Sequence, residues 1–428
     1  MWNEATQRFI REHRCDDSRD LALHSKTVSE EIDLPWALTQ IEGRQTIEKK
    51  IPSWFQSDDI IYPSHLALEQ CSSEATARYK ASLLSGFSFA DLTGGFGVDF
   101  AFIAPKFKAA YYIERQQALC KIAAHNFKAL DLHSAKIENA DARDYLQQMR
   151  PVDVIFIDPG RRSDIGRKVS AIEDCEPDVT AIQDLLLEKA ETVLIKFSPM
   201  LAISQALTVL KNVAEVHVVS LENECKELLF MLQKNTGNEA RITCVNFSKT
   251  GESQEISFSR TEEKECRIEY TSQIEKYLYE PNASILKAGF FKGITRFYPI
   301  RKLHPDSHLY TSNKWVADFP GRIFQVESYS SFNKNELKNF LQGIDYANVS
   351  IRNFPLSVAA LRKKLKIKEG GAIFLFATTL ADKKHILLKL TKITSPPTPA
   401  PTPTPKSPEG DFASQSLKVP FRGFRGRI

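Results

Sequence analysis

The 428-residue sequence predicts an α/β chain: a doubly wound parallel sheet, preceded by a helical segment and followed by two small α/β modules. Three observations predict it. Between Phe87 and Gln233, strand-like apolar runs alternate with helix-like ones, the pattern of neighbouring parallel strands joined by crossover helices. The first of those strands runs into "DLTGGFGVD", three glycines between Asp91 and Asp99, where an open parallel sheet receives ligands. A chain of this length also exceeds what one hydrophobic core organises, so about two to four domains are expected.

Residues 1–85 read as helical, with apolar residues at helical spacing in "FIREH", "LPWALTQIEG" and "ATARYKASLL" and breaks expected at Pro35, Pro52 and Pro63. Residues 86–273 carry the sheet. Its strands are "FSFADL", "AAYYIE", "VDVIFID", "ETVLIKF", "EVHVVSL" and "ELLFML", separated by stretches such as "QQALCKIAAHNFKAL" and "DVTAIQDLLLEKA". Beyond about Asn235 the runs become short, polar and β-branched ("RITCVNF", "SQEISFS"). Residues 274–326 are mixed, with turn signals at "EPNAS" and "FPGR", and form one small module. A second spans 327–394, where "KNELKNFL", "YANVSIRNF", "SVAALRKKLKI", "AIFLFATTL" and "KKHILLKL" alternate helix and strand. Residues 395–428 begin as a proline-rich linker and end in "FASQSLKVPFRGFRGRI", too poor in periodicity to fold alone.

No run of eighteen apolar residues appears, and the start, "MWNEATQRFIREHRCDDSRD", is too charged for a secretory signal, so a cytoplasmic protein with no membrane partner is expected. Seven cysteines lie scattered without a CxxC pair, which argues against a zinc site and a disulfide framework; the nine histidines show no ligand spacing, and no metal is expected. The net charge of +4 is uneven: residues 352–392 carry ten Lys/Arg against Glu369 and Asp382, while the chain before them is acidic. A basic far end on an acidic body suggests a polyanion held by the C-terminal part.

The glycine loop does not read as a dinucleotide fingerprint, because Phe100 stands where the third glycine belongs. Acids stand instead at the successive strand ends. Glu114 closes the second strand, where a carboxylate accepts both hydroxyls of a ribose; Asp141 comes after the third, beside the backbone N–H of Ala142, placed for the exocyclic amine of an adenine. Asp158 and Pro159 end the fourth in "VIFIDPGRR".

These residues resemble the class I S-adenosylmethionine (SAM) methyltransferases: "DLTGGFGVD" is similar to motif I, "YIER" to the ribose-binding acid, "NADARDYL" to the adenine position and "IDPGRR" to motif IV. The resemblance implies SAM as cofactor, bound by Asp91, Thr93, Gly94, Gly95, Phe96, Gly97, Glu114, Asp141, Ala142 and Asp158. Further, "LALEQCSSEATARYKASLL", "DPGRR", "EPNASILKAG" and "NVSIRNFPLSVAALRKKLKIKEGG" resemble a bacterial group, common in Bacteroidetes, that carries a ferredoxin-like and a THUMP-like domain at the C-terminus. THUMP domains dock structured RNA, so tRNA or rRNA is the implied partner.

The acceptor atom stays open between a ribose 2'-hydroxyl and a base nitrogen. In motif IV, Gly160 and Arg161 replace the proline and aromatic of exocyclic-amine enzymes; Pro159, Arg161 and Arg162 are the expected substrate contacts, since an arginine plane stacks on a base or holds a phosphate. Uracil-C5 chemistry needs a cysteine nucleophile where "LIKFSPML" offers Ser198. For a hydroxyl acceptor, Lys80, Asp158, Lys196 and Glu227 are candidates for the Lys, Asp, Lys, Glu set of ribose 2'-O-methyltransferases, with Glu222 or Glu224 equally suited by spacing; a lysine desolvated near the SAM sulfonium would be lowered in pKa and able to act as base. Arg362, Lys363, Lys364 and Lys366 are the expected phosphate contacts of the C-terminal module. Two readings stand beside RNA methylation: a non-catalytic RNA-binding or assembly factor with a methyltransferase fold, and a methyltransferase of a protein or small molecule.

Overall fold

The computed structural model describes residues 3–23, 28–161, 172–234, 236–237 and 239–393, Arg161 by its backbone alone. Arg162 and the tail at 395–428 lie outside the described residues.

The N-terminal part holds helices α1 (Glu4–Glu12), α2 (Ser18–Leu23), α3 (Leu34–Lys50), α4 (Pro52–Phe55), α5 (His65–Gln70) and α6 (Glu74–Leu83). Their starts are written locally. The side chains of Asn3, Asp33 and Ser73 each accept a hydrogen bond from a first-turn N–H of α1, α3 and α6. Pro35 and Pro52, expected to break helices, open them instead: they sit in the first turn of α3 and α4, where no intrahelical N–H is needed and the fixed φ suits the helix. Trp54, Tyr62 and Tyr79 share one buried cluster with Phe89, Phe100 and Tyr112 of the following sheet, so this segment is a layer of the same core.

The sheet domain runs β1 (Ser88–Asp91), α7 (Val98–Ile103), β2 (Ala109–Ile113), α8 (Gln117–Ala129), β3 (Ala135–Glu138), α9 (Ala142–Gln148), β4 (Val152–Ile157), the two-residue strands β5 (Gly160–Arg161) and β6 (Cys175–Glu176), α10 (Val179–Lys189), β7 (Ala190–Phe197), α11 (Ile203–Val209), β8 (Val213–Leu221), β9 (Glu224–Gln233), β10 (Arg241–Phe247), β11 (Ser253–Ser259) and α12 (Arg260–Glu265). Nine strands form one sheet in the order β11-β10-β8-β9-β7-β4-β1-β2-β3. The chain steps one way from β1 to β2 and β3, then returns to place β4 on the other side of β1. That reversal opens a crevice above the carboxyl ends of β1 and β4.

The sheet is parallel except at β9 and β11, a departure from the all-parallel expectation. Only Glu222 and Asn223 separate β8 from β9, both at positive φ. Two residues make a hairpin turn and cannot span a crossover, so β9 must run antiparallel. The polar runs after Asn235 extend the same sheet as β10 and β11.

The C-terminal part comprises β12 (Tyr277–Pro281), α13 (Ala283–Ala288), α14 (Ile294–Phe297), β13 (Arg301–Lys302), β14 (Tyr310–Ser312), β15 (Gly321–Ser331), α15 (Lys334–Phe340), β16 (Asn348–Arg352), α16 (Val358–Leu365), β17 (Ile373–Thr379) and β18 (His385–Lys392). Its seven strands form one sheet, ordered β13-β14-β12-β15-β18-β17-β16. The boundary expected between 326 and 327 falls inside β15, which pairs with β12 on one side and β18 on the other. The polar interruption there is a bulge: the register with β18 shifts between Val326 and Ser328. The two expected modules are thus halves of one sheet, tied further by buried Glu280 of β12, which pairs with Arg322 of β15 and Arg352 of β16.

Candidate functional site

Each residue type in the glycine loop has a steric reason. A Cβ on Gly94 would lie 2.1 Å from the Tyr112 ring, so only glycine lets the loop close onto β2. Gly95 (φ 55°) and Gly97 (φ 88°) take left-handed conformations, Gly97 as the residue that starts α7. Phe96 turns inward: its ring is buried against Trp54, centroids 5.2 Å apart, so its side chain belongs to the core and only its backbone borders the crevice.

Glu114, nearly buried at the end of β2, braces the loop: its carboxylate accepts the Gly95 N–H at 2.9 Å and the Gln116 N–H at 2.8 Å. Asp141 caps α9, accepting the Arg143 N–H at 2.8 Å. Thr93 ties the first and fourth strand ends together, donating its N–H to Asp91 and accepting the Asp158 N–H on its hydroxyl. Asp91 is fully buried. One of its oxygens receives Thr93; the other has no hydrogen-bond partner. Burial pushes its carboxyl well above the ordinary range, the Thr93 N–H opposes that, and nearby Asp99 and Asp158 add to it.

Two adjoining cavities result from this arrangement. One of about 420 Å³ is bounded by Glu114, Asp141, Ala142 and Asp158; the other, about 650 Å³, runs from Asp91 and the glycines past Pro159 to Lys196 and Glu227. They share Thr93, Glu114, Asp158 and Gly160 and make one groove along the carboxyl edge of the sheet.

At the second cavity the structure brings together Asp158 after β4, Lys196 from β7 and Glu227 from β9, which line it, and Lys80 from α6, fully buried behind them. The Lys80 ammonium, fully buried, donates to both Glu227 oxygens at 2.7 Å and to Ser72 at 3.1 Å, and lies 3.2 Å from Asp99. Lys196 pairs with Asp158 and lies 3.5 Å from Asp99. Asp99 is the member to which the sequence alone assigns no role: it bridges both lysines and accepts the Ser72 hydroxyl at 2.8 Å. Its only sequence signal is its place as the second acid of "DLTGGFGVD".

The chain's own charges set the state of Lys196. Burial alone would loosen the Lys196 proton, but the carboxylates of Asp158, Asp99 and Glu227 outweigh it and raise the pKa above that of an ordinary lysine. Lys196 is an ammonium here, not a lowered-pKa amine. Burial also opposes the charge on Asp99, yet Lys80 and Lys196 hold its carboxyl below the usual range; at Glu227 burial prevails over the same lysines and the pKa is raised.

The C-terminal cluster stands on α16. Lys363, Lys364 and Lys366 are exposed, and the Lys364 ammonium lies 5.6 Å from the Phe332 ring centre. Arg362 differs from expectation: its guanidinium pairs with Glu369 at 2.7 Å, so part of its charge is already matched. Pro159 borders the 650 Å³ cavity, and the Arg161 backbone pairs with Cys175. No disulfide joins any of the seven cysteines, all of which are among the described residues. Among the described residues no group of three or more His, Cys, Asp or Glu is placed to hold a metal ion, and no helix is long and apolar enough to cross a membrane.

A family model for a ferredoxin-like domain matches residues 277–320, and one for a THUMP domain-like fold matches 321–392; their junction coincides with the start of β15. No curated protein matches the chain. Among solved structures, a "putative methyltransferase" from Porphyromonas gingivalis W83 is 35% identical, superposes with a TM-score of 0.81, and is matched over 92% of this chain and 100% of its own. An rRNA methylase from Streptococcus thermophilus is 16% identical over 37% of this chain and 93% of its own, with a TM-score of 0.29, too low to carry argument. By its identity to the Porphyromonas protein over nearly the whole length, the chain belongs to that protein's family, the bacterial group that joins a class I methyltransferase fold to ferredoxin-like and THUMP-like domains at the C-terminus.

Proposed function

We propose that the chain is a SAM-dependent RNA methyltransferase acting on a ribose 2'-hydroxyl of tRNA or rRNA. The observation that carries this reading is the cluster of Lys80, Asp158, Lys196 and Glu227: the last three line one cavity beside the glycine loop, and buried Lys80 holds Glu227 from behind.

The groove fits the cofactor. The Glu114 carboxylate is held by two backbone N–H groups and keeps lone pairs for two vicinal hydroxyls; Asp141 keeps one oxygen clear of its cap for an exocyclic amine. The unpartnered Asp91 oxygen, in a surround with more carboxylates than ammonium groups, suits a cationic methionine moiety. When bound, SAM supplies an electrophilic methyl on a sulfonium.

The chain's own residues then orient and deprotonate the acceptor. Lys196, an ammonium braced by Asp158 and Asp99, donates to the hydroxyl oxygen and fixes its line of approach. To take the hydroxyl proton Lys196 must first pass one of its own to the paired Asp158 carboxylate; the neutral amine so formed then accepts the hydroxyl proton as the oxygen attacks. Lys80 and Glu227 hold the pair from behind. The exposed lysines of α16 supply phosphate contacts that bring RNA to the enzyme.

The test is transfer of labelled methyl from SAM to total RNA of a strain lacking the protein, followed by nucleoside mass spectrometry. A single 2'-O-methylated nucleoside supports the proposal. A base-methylated product redirects the chemistry to the Pro159–Arg161 segment, and labelled protein or small molecule with unlabelled RNA overturns the substrate class.

A further inference from the structure

A buried polar chain beside the catalytic cluster takes no part in the chemistry above. The Tyr79 hydroxyl lies 2.8 Å from His217 Nδ1, and His217 Nε2 lies 3.0 Å from the Glu215 carboxylate. Tyr79 is 8% exposed and His217 3%. Their protons can be placed. The His217 ring holds the Glu215 carboxyl below the usual range, so Glu215 is a charged acceptor and Nε2 carries a ring hydrogen. In the neutral ring Nδ1 is then bare and accepts from the Tyr79 hydroxyl, a phenol that burial keeps protonated.

What gives this chain a role is where it attaches. Tyr79 precedes Lys80 on α6, and neither Tyr79 nor His217 lines the catalytic cavity. On the sheet, His217 of β8 stands opposite Leu229 of β9 and Val219 opposite Glu227, so His217 and Glu227 share one face at neighbouring positions. Two consecutive side chains of α6 thus reach that face side by side, Tyr79 at His217 and Lys80 at Glu227. Phe247 meets the Tyr79 ring edge-on, centroids 5.7 Å apart. Packing alone does not require the polar pair: a phenylalanine at 79 with an apolar residue at 217 would leave no buried hydroxyl or imidazole to satisfy. A directional hydrogen bond adds what apolar contact lacks, one defined seat for the helix. Because Lys80 is the next residue of α6, a slide or rotation of the helix displaces its ammonium from Glu227, at 2.7 Å, and from Asp99, at 3.2 Å, which also faces Lys196.

We propose that Tyr79 and His217 are positioning residues for the methyl-transfer site: their hydrogen bond, oriented by Glu215, seats α6 so that Lys80 keeps Glu227 and Asp99 in place around Lys196. The effect on turnover rests on the methyl-transfer reading above; the effect on the cluster does not.

Two measurements on the full chain test it. With labelled SAM and total RNA of a strain lacking the protein, Tyr79→Phe and His217→Leu should each lower kcat about tenfold while the KM for SAM stays within about twofold of wild type, since a misplaced catalytic group slows the step without loosening the cofactor. His217→Asn, whose amide oxygen takes the place of Nδ1 as acceptor, should restore most of that rate. A bond that merely stabilised the fold would leave kcat level in all three variants. The second measurement reads the cluster without turnover: in urea unfolding, the midpoint shift caused by Tyr79→Phe should shrink by about half or more when Lys80 is already methionine, because the two changes act through one contact set. Unchanged kcat in Tyr79→Phe, a His217→Asn variant no faster than His217→Leu, or midpoint shifts that simply add overturn the assignment. Absence of methyl transfer from the wild type to any RNA overturns the RNA reading alone, and the unfolding cycle then decides this one.

Discussion

Replacing Lys80 by methionine keeps the length of the side chain and removes one charge from a closed space. The cluster around it holds two ammonium groups, Lys80 and Lys196, against the carboxylates of Asp99, Asp158 and Glu227. Lys80 is the sole cation within bonding distance of Glu227 among the described residues, at 2.7 Å from both its oxygens, and Glu227 is 4% exposed. Two ion pairs near 3 Å are each worth on the order of 5 kcal/mol at an effective dielectric near 20, before desolvation is subtracted. Removing one partner of such a pair costs about 3–5 kcal/mol, because the remaining charge stays buried without its counter-ion.

The pH dependence gives this prediction its sign. Burial already raises Glu227, and Lys80 is the first influence opposing it. Without the ammonium, the folded carboxyl rises further above its unfolded value of about 4.3. A raised folded pKa means no penalty at pH values below the unfolded one, and a loss that grows as pH climbs toward the folded one, by up to about 1.4 kcal/mol per unit. Urea unfolding followed by circular dichroism at about pH 5 and pH 8 should therefore show the gap between wild type and Lys80→Met widening with pH. Adding Glu227→Gln should recover most of the loss, as coupled neighbours do. A loss that is the same at both pH values, or a double variant no more stable than Lys80→Met, would refute the account of the cluster.

Four other outcomes are expected. Glu114→Ala should lower SAM affinity at least tenfold by calorimetry, since two hydrogen bonds to a charged acceptor are lost at about 1.5–3 kcal/mol each; unchanged affinity removes Glu114 from the cofactor site. Asp91→Asn should stabilise the fold by about 1–2 kcal/mol near neutral pH, a gain that fades as pH falls toward the ordinary aspartate value of about 3.9, while weakening SAM binding; urea midpoints across pH check the sign. Lys196→Ala should cut methyl transfer by about a hundredfold or more with SAM affinity nearly kept, and Lys196→Arg should not restore it, because an arginine gives up no proton; turnover retained in either variant takes the proton step away from Lys196. Reversing Lys363, Lys364 and Lys366 to Glu should weaken RNA binding and reduce the slope of log affinity against log salt by about two to three, measured by titration at several salt concentrations.

The sequence makes legible whatever a short stretch determines by itself. The glycine loop, Glu114 and Asp141 sit at strand ends that alternation alone locates, and Lys80, Asp158, Lys196 and Glu227 can be named by order along the chain. Their environment cannot. Asp99 is in the opening turn of α7, yet its contacts come from Ser72, Lys80 and Lys196, residues 27, 19 and 97 positions away, so nothing local marks it. The surroundings of Lys196 are hidden for the same reason: desolvation can be guessed from an apolar strand, but three carboxylates arriving from α7, from β9 and from the residue after β4 cannot. The boundary at 326/327 fails because a bulge and a linker look alike in sequence. Both are polar interruptions, and only the pairing of β15 with β12 and β18 tells them apart.

The charge count at the crevice also discriminates between ligand classes. Around the loop stand Asp91, Asp99, Asp158 and Glu227 against Lys80 and Lys196, and both ammonium groups are already paired with carboxylates. A dinucleotide laid over such a loop would place its pyrophosphate beside these acids, with Arg115 and Arg143 in the adjoining part of the groove, and a dinucleotide site relies on a third glycine where this chain has the buried Phe100. A ligand carrying positive charge is favoured by the same field that repels the pyrophosphate. That field has a cost before the ligand arrives, visible in the raised pKa of Asp91 and its unpaired oxygen. A buried acid at the edge of a cavity, raised in pKa and left with an unpartnered oxygen, gains more from an arriving cation than a carboxylate already closed in a salt bridge, such as Asp99.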